Sequence, residues 1–330
     1  MSDWIISDGN AEAMQGLCDL RASFEQRTGG LTTLERLTRR RGCPPSGFTC
    51  DDDGRAALIS ERTGLPRIDG EGLSEGPATP WDILDQLPQL LEEDLAEAPE
   101  LGCNCGAAVA GDHRVDVDPT VVIFPGVVFD ATSGAIRIEQ GAVVRPNAVL
   151  CGPCWIGQGS TVVDAAQIKP CTSIGPSCKV GGEVGGTIMQ AFSNKAHPGH
   201  MGDSIIGEWV NIGAGTSNSN LLNTYGEVVV KGLDGSRHRT GRQFVGSFIG
   251  DHAKFAIETR IMTGTVIGTG AMVASSSPPP TPMPRFQWRT DAGPRVYRME
   301  KFLDVARAVM ARRGRELGPA AEAMLRRLAE

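Results

Sequence analysis

Polar and ionisable side chains crowd one short stretch of this chain: Ser193-Asn194-Lys195-Ala196-His197-Pro198-Gly199-His200-Met201-Gly202-Asp203. An imidazole titrates near neutrality, so it can take a proton from an attacking amine or hydroxyl. That is the requirement for acyl transfer from a thioester. The stretch has a blander reading as well, in which both histidines end a loop with their ring nitrogens in water. A third use of the same residues would be zinc ligation by His197, His200 and His252. A spacing of three across Pro-Gly suits a zinc set poorly, so no metal is expected. Cys103-Asn-Cys105 and the Cys43/Cys50 pair likewise lack a nearby histidine to complete zinc spacing.

The elements around this stretch follow an unusual rhythm. Ile138, Val144, Leu150, Ile156, Val162, Ile168, Ile174 and Val180 fall on every sixth position. Four residues after each stands a compact residue: Ala142, Ala148, Cys154, Ser160, Ala166, Thr172, Cys178 and Val184. Neither the helical period near 3.6 nor the strand period of 2 produces this. A chain turning a corner every six residues does, with aliphatics inside a triangular prism and small residues at the corners. This is the hexapeptide signature of a parallel β-helix. The beat starts at Val115, Val121 and Val127, resumes at Ile206 and Ile212, and returns at Ile249, Phe255, Ile261, Ile267 and Val273. Between Met201 and Ile206 the step is five, so the coil is irregular beside the histidines, as functional sites often are.

Four segments are expected. Residues 1–100 read as a small α/β domain, with a strand at Trp4-Ile5-Ile6, a helix after the capping Thr32, and another opening at Pro80. Residues 101–277 form the β-helix, interrupted by an inserted loop over 217–247. Inside that loop Glu227–Lys231 and His238–Thr240 read as a hairpin around Asp234-Gly235. Residues 278–294 are a proline-rich spacer, and residues 295–330 show helical spacing. The class is therefore mainly β, a hexapeptide β-helix flanked by a small α/β domain and C-terminal helices.

Composition agrees with thin stacked coils. Of 330 residues 42 are glycine, and aromatics are only 5%. A formal net charge of −7 offers no basic field for nucleic acid or an anionic membrane. No apolar run reaches membrane-spanning length and no signal-peptide core is visible, so a cytoplasmic location is expected. Nine cysteines, an odd number, argue against a disulfide framework. Cys154 and Cys178 read as reduced fillers of the small-residue position, although Cys151-Gly-Pro-Cys154 has the look of a redox pair.

Asn194-Lys195-Ala196-His197, Gly202-Asp203 and Asn211-Ile212-Gly213-Ala214-Gly215-Thr216 resemble the acetyltransferase half of the bacterial bifunctional family that makes UDP-N-acetylglucosamine. That family reads S-K-A-G-H-L-x-Y-L-G-D and then N-I-G-A-G-T-x-x-x-N-Y. From the histidine to N-I-G-A-G-T the spacing matches without a gap. The resemblance implies a left-handed β-helix, acetyl-CoA as acyl donor, and a homotrimer. It places His197 on the catalytic base, His200 on a sugar-contacting tyrosine, Asn211 on a sugar-contacting asparagine, and Ala214 and Asn220 in the acetyl-CoA pocket. Lys169-Pro170 resembles an Arg-Pro that holds the sugar phosphate. More narrowly, Cys178–Glu183, Gly207–Asn211, Ser217–Leu221 and Ile249–Lys254 are similar to a sugar-nucleotidyltransferase-like subgroup related to that enzyme.

The expectation is thus acyl transfer to a sugar phosphate or nucleotide-sugar. His197 would be the base, Lys169, Lys195 or Lys231 would hold the phosphate, and the amides around Gly213-Ala214-Gly215 would stabilise the oxyanion. Leu221 stands where the family has tyrosine, so an acceptor different from the family's is expected. Two alternatives remain at this stage. One is a binding or scaffold protein that has lost catalysis. The other is a sugar-1-phosphate nucleotidyltransferase, for which residues 1–100 lack the glycine-rich loop that would cradle a triphosphate.

Overall fold

The computed structural model describes residues 4–102 and 106–330; Cys103 and Cys105 lie outside them. From Ala108 onward, strands of two to four residues stack into a three-sided parallel solenoid. The first sheet has eight strands, from Val115–Val117 to Thr265–Ile267. The second has ten, from Val122–Ile123 to the closing hairpin. The third has six, from Ala108–Ala110 to His200–Gly202, and the pair Ser217–Asn218 and Arg260–Ile261 lies beyond it. Ile138 pairs with Ile156, and Cys154 with Thr172, so one full coil advances the chain by three six-residue steps. The eight aliphatics from Ile138 to Val180 have no exposed surface, and their compact partners are equally sealed. The mainly β hexapeptide architecture is the one the beat implies.

Corners are held by a column of backbone bonds. Ala165, Cys171 and Ser177 all sit in the left-handed region, at φ 55°, 57° and 57°. L-residues resist that conformation. Each amide donates to a carbonyl of the coil before: Pro146, Pro153 and Gln158 respectively. The bond recovers part of the cost and fixes the corner.

Five outward residues of the first sheet are apolar (Trp155, Ile188, Ile205, Phe248, Val266), and Asp116, Arg137 and Ser173 at the other three positions are buried too, so this sheet is covered on both faces. Helix α3 (Pro80–Glu97), started by a Thr79/Asp82 capping box, lays Trp81, Ile83, Leu84 and Leu87 on it. The loop at Gly29-Gly30 docks there too. Ser173 Oγ donates to the Gly29 carbonyl at 2.6 Å, and a side chain at Gly30 would strike the Trp155 ring. Helix α1 (Thr33–Arg41) is locked to α3 by a buried pair, Arg36 donating twice to Asp94 at 2.7 Å. Helix α2 (Asp53–Thr63) follows the strand Gly47–Thr49, which pairs in parallel with Ile5–Ser7.

Two segments outside the regular coils pack more closely than a loop or a spacer would. The inserted hairpin exists (Val229–Lys231 against Arg237–Arg239), but Val228 and Val230 are buried with Phe248 and Val266, which carries it to the first sheet. The proline-rich segment is more than a spacer. Met283 is fully buried and bridges to Ile267, and Gln287–Thr290 then joins Met272–Ala274 in the second sheet. Met283 fills the inward slot that the open end of the prism would leave empty. Helices α4 (Met299–Ala311) and α5 (Pro319–Arg327) return to α2, whose Glu61 accepts from the first amides of α5, Ala320 and Ala321.

Candidate functional site

The coil beneath the histidines is the shortest in the prism. Inward-facing Val180 and Val184 are four residues apart and Val184 and Met189 five, so Ile174 pairs with Met189 after only fifteen residues. Gly181 and Gly182 make this tight corner. A Cβ at Gly182 (φ +70°) would stand 2.7 Å from the Gly199 carbonyl and 3.0 Å from that of His197. The next corner, Ala196–Gly199, therefore rests directly on backbone. A side chain at Gly199 (φ +128°) would strike the Thr216 carbonyl. His197 is exposed at the tip of this corner, between the second and third sheets. On the single chain its ring is open to solvent.

Lys195 differs from the expectation that it holds a phosphate. It is 1% exposed and faces into the prism, where Nζ donates to the carbonyls of Gly181 at 3.0 Å and His197 at 2.6 Å. Burial pushes its pKa down to about 8. The oxyanion donors also need correction. Gly213 N–H donates to the Phe255 carbonyl at 3.1 Å and Gly215 N–H to that of Pro198 at 3.0 Å. Of these three amides only that of Ala214 makes no such bond among the described residues.

A second group of candidates shares the outer face of the third sheet. Lys169, Gly185 and Gly202 occupy successive rungs. Gly185 lies against the Lys169 stem, where a Cβ would come within 2.8 Å. His200 and Asn220 lean over Gly202, with His200 Nε2 at 2.6 Å and Asn220 Nδ2 at 2.8 Å from a hypothetical Cβ. Asn220 donates to Asp203 at 2.6 Å, His200 N–H donates to Ser217 Oγ at 3.1 Å, and His200 Nδ1 lies 3.8 Å from Glu183. Burial raises the Asp203 pKa, against the opposing hydrogen bond from Asn220. Glu183, Asp203 and Ser217 were not expected site residues. Their strand positions, at or just beyond His200 on either side, are the signal that would have found them.

The remaining candidates are dispersed. Asn211 is exposed on the second sheet, one rung from Asn194, whose Oδ1 accepts from Arg313 of the C-terminal segment at 3.0 Å. Lys231 lies on the hairpin over the first sheet, a different side of the prism from His200. His252 is 4% exposed, its ring stacked on Trp209 (6.2 Å, 15°) and edge-on to Phe302 (5.8 Å, 79°). It cannot join His197 and His200 around a metal. Among the described residues no group of three or more His, Cys, Asp or Glu side chains could hold one, and no helix is long and apolar enough to cross a membrane. Seven described cysteines are free, and Cys154 and Cys178 are the buried fillers expected.

The prism thus carries a histidine-bearing corner beside a polar strand face. No family model matches the chain. It is 29% identical over 250 residues to the bifunctional protein GlmU of Jannaschia sp. (strain CCS1), across 75% of this chain and 46% of that protein. With GlmU of Rhodococcus jostii the identity is 26% over 271 residues, 80% of this chain and 50% of the relative. A bifunctional sugar-1-phosphate nucleotidylyltransferase/acetyltransferase of Sulfurisphaera tokodaii shares 34% over 142 residues, 42% and 35% of the two chains. The chain is thus similar to GlmU proteins over most of its length, at 26–29% identity. It spans half or less of the length of these curated relatives. Among solved structures, the acetyltransferase domain of PglB from Neisseria gonorrhoeae has 13% identity and a TM-score of 0.23, covering 75% of this chain and 97% of that one. PerB from Caulobacter crescentus, solved with CoA and GDP-perosamine, has 11% identity and a TM-score of 0.18, covering 90% and 97%.

Proposed function

We propose that the protein transfers an acetyl group from acetyl-CoA to an amine or hydroxyl of a sugar phosphate or nucleotide-sugar, with His197 as general base. The observation that carries this reading is the exposed imidazole on a corner pinned by backbone from both neighbouring coils, next to a face bearing Lys169, His200 and Asn220. The kinship to GlmU supports a sugar acceptor. His197 takes the proton as the acceptor atom attacks the thioester carbonyl, and the Ala214 amide donates to the developing oxyanion. Collapse of the tetrahedral species breaks the C–S bond, and the leaving CoA thiolate takes up the proton held by His197, which restores the base. Lys169 contributes the positive charge for the acceptor phosphate, with His200 and Asn220 at the sugar. Asn220 is equally placed to meet the cofactor.

His197 stands open on one chain, and in this reading a second copy supplies the opposite wall of the cofactor groove, with a homotrimer as the assembly proposed. Nucleotidyl transfer by the N-terminal domain is disfavoured on electrostatic grounds. The cleft of about 590 Å³ at the carboxyl ends of its two parallel strands is lined by Asp8, Glu12, Asp51, Asp52 and Glu71, with Arg55 the one cation among its described lining residues. Such a lining repels a triphosphate.

Acetyl-CoA consumption, followed by a thiol reporter over a panel of amino sugars, sugar phosphates and nucleotide-sugars, tests the proposal. The wild type should release CoA with at least one acceptor, and His197→Ala should lower kcat on the order of 10²–10⁴-fold. Equal turnover by the variant removes His197 from the mechanism. Silence toward every acceptor would leave a binding role for the prism.

A further inference from the structure

We infer that Lys195 is a positioning residue for His197: sealed inside the prism, its side-chain nitrogen clamps the carbonyls of two successive corners and so fixes the loop that presents the imidazole. The kinetic part of this inference rests on the acyl-transfer reading above; the mechanical part does not.

Lysine is the anomaly in its column. The inward position of the second sheet is filled by Ile123, Val144, Val162, Val180, Ile212, Phe255 and Val273 in other coils. Lys195 pairs with Val180 below and precedes Ala196 on the rung beneath Ile212. A methionine would fill the slot without desolvating a charge. Among the described residues no carboxylate compensates the amine; burial accounts for its lowered pKa. Its two hydrogen bonds, to the Gly181 and His197 carbonyls, are what the slot gains.

Those carbonyls need a donor for a reason visible in the backbone. At other corners a residue's amide donates to a carbonyl one coil away, as Phe192 does to Pro176, Trp209 to Ala191 and Gly215 to Pro198. The shortened coil at Gly181-Gly182 breaks this column. Neither the Gly181 nor the His197 carbonyl receives a backbone N–H among the described residues. Unpaired carbonyls beside an apolar interior are costly, and the lysine answers both at once. An uncharged amine still carries two N–H groups, so the clamp survives loss of the ammonium proton. Holding the corner is therefore independent of pH through the range where Lys195 titrates.

Lys195→Met removes the donors at nearly constant volume. Lys195→Gln keeps a two-hydrogen donor without charge and serves if the methionine variant does not fold. Two readouts are taken on each: amide hydrogen exchange by peptide, and steady-state kinetics with acetyl-CoA. In Lys195→Met, exchange in the peptide spanning 196–203 should speed at least tenfold while peptides from 136–180 stay unchanged. The KM for acetyl-CoA should hold within about twofold while kcat falls at least tenfold, and Lys195→Gln should recover part of both losses. A purely structural lysine would lower stability yet leave kcat per folded molecule at the wild-type value, and that result overturns the positioning role. Exchange that rises uniformly along the prism, or not at all at 196–203, overturns the clamp itself. If the wild type turns over no acceptor, the exchange data still decide the clamp, and the failure belongs to the acyl-transfer reading alone.

Discussion

Acid should weaken this fold through one buried imidazole. His252 occupies a left-handed corner (φ 59°) between Trp209 of the preceding coil and Phe302 of α4, so its ring joins the prism to the C-terminal helices. Burial, reinforced by Lys254, lowers its pKa from 6.5 to about 3, with Glu208 opposing. A depressed pKa means that the folded protein keeps the ring neutral while the unfolded chain protonates it. Its contribution is complete above pH 6.5 and is lost as pH falls toward 3. At 1.36 kcal/mol per unit, the full window is worth roughly 5 kcal/mol, and the part between pH 6.5 and 4.5 about 3 kcal/mol. Neighbouring carboxylates titrate nearby. Burial pushes Asp251 up to about 6, which adds stability as pH falls through that value. Burial would raise Glu208 as well, but Arg62 and Arg21 hold it down to about 2, so its contribution is lost below about 4.5. A comparison against His252→Asn removes most of these shared terms, leaving the His252–Glu208 attraction inside the difference, and asparagine tolerates the left-handed corner. Urea unfolding from pH 8 to 4.5, followed by tryptophan fluorescence, should show the variant less stable at pH 8 by about 1–2 kcal/mol, the lost ring contacts. The gap should close and reverse near pH 5. Parallel stability curves for the two proteins would refute the argument.

Two further outcomes test other parts of the structure. Gly202→Ala places a methyl where His200 and Asn220 now lean, without touching His197; it should raise the acceptor KM about tenfold and leave the pH dependence of kcat in place, measured by CoA release. Asp94→Ala strands the buried Arg36 guanidinium that joins α1 to α3, and should cost about 3–5 kcal/mol by urea denaturation, a loss under 1 kcal/mol counting against the pair as a tie between the helices.

The architecture was open to reading because a hexapeptide prism writes its geometry into every coil: three aliphatics per turn cannot be hidden by composition. The hairpin at 229–239 was equally local. Its docking was not, since that depends on Val228 and Val230 meeting Phe248 and Val266 across the first sheet, a match between segments with no shared period. Lys231 followed the hairpin away from the histidines for the same reason.

Lys195 shows most clearly where reading by residue type fails. A lysine beside a histidine suggests a surface charge waiting for phosphate. Counting back from Ile206 by five to Met201 and by six to Lys195 places it on the inward column instead. Hydropathy argues against that count, and only the four-residue step from Val180 to Val184 resolves the conflict, by leaving two corner carbonyls that an amine can satisfy. The irregular coil and the buried amine are therefore one feature. The same shortening that disturbs the regular corner bonds supplies the reason for a polar group inside, and it does so directly beneath the imidazole.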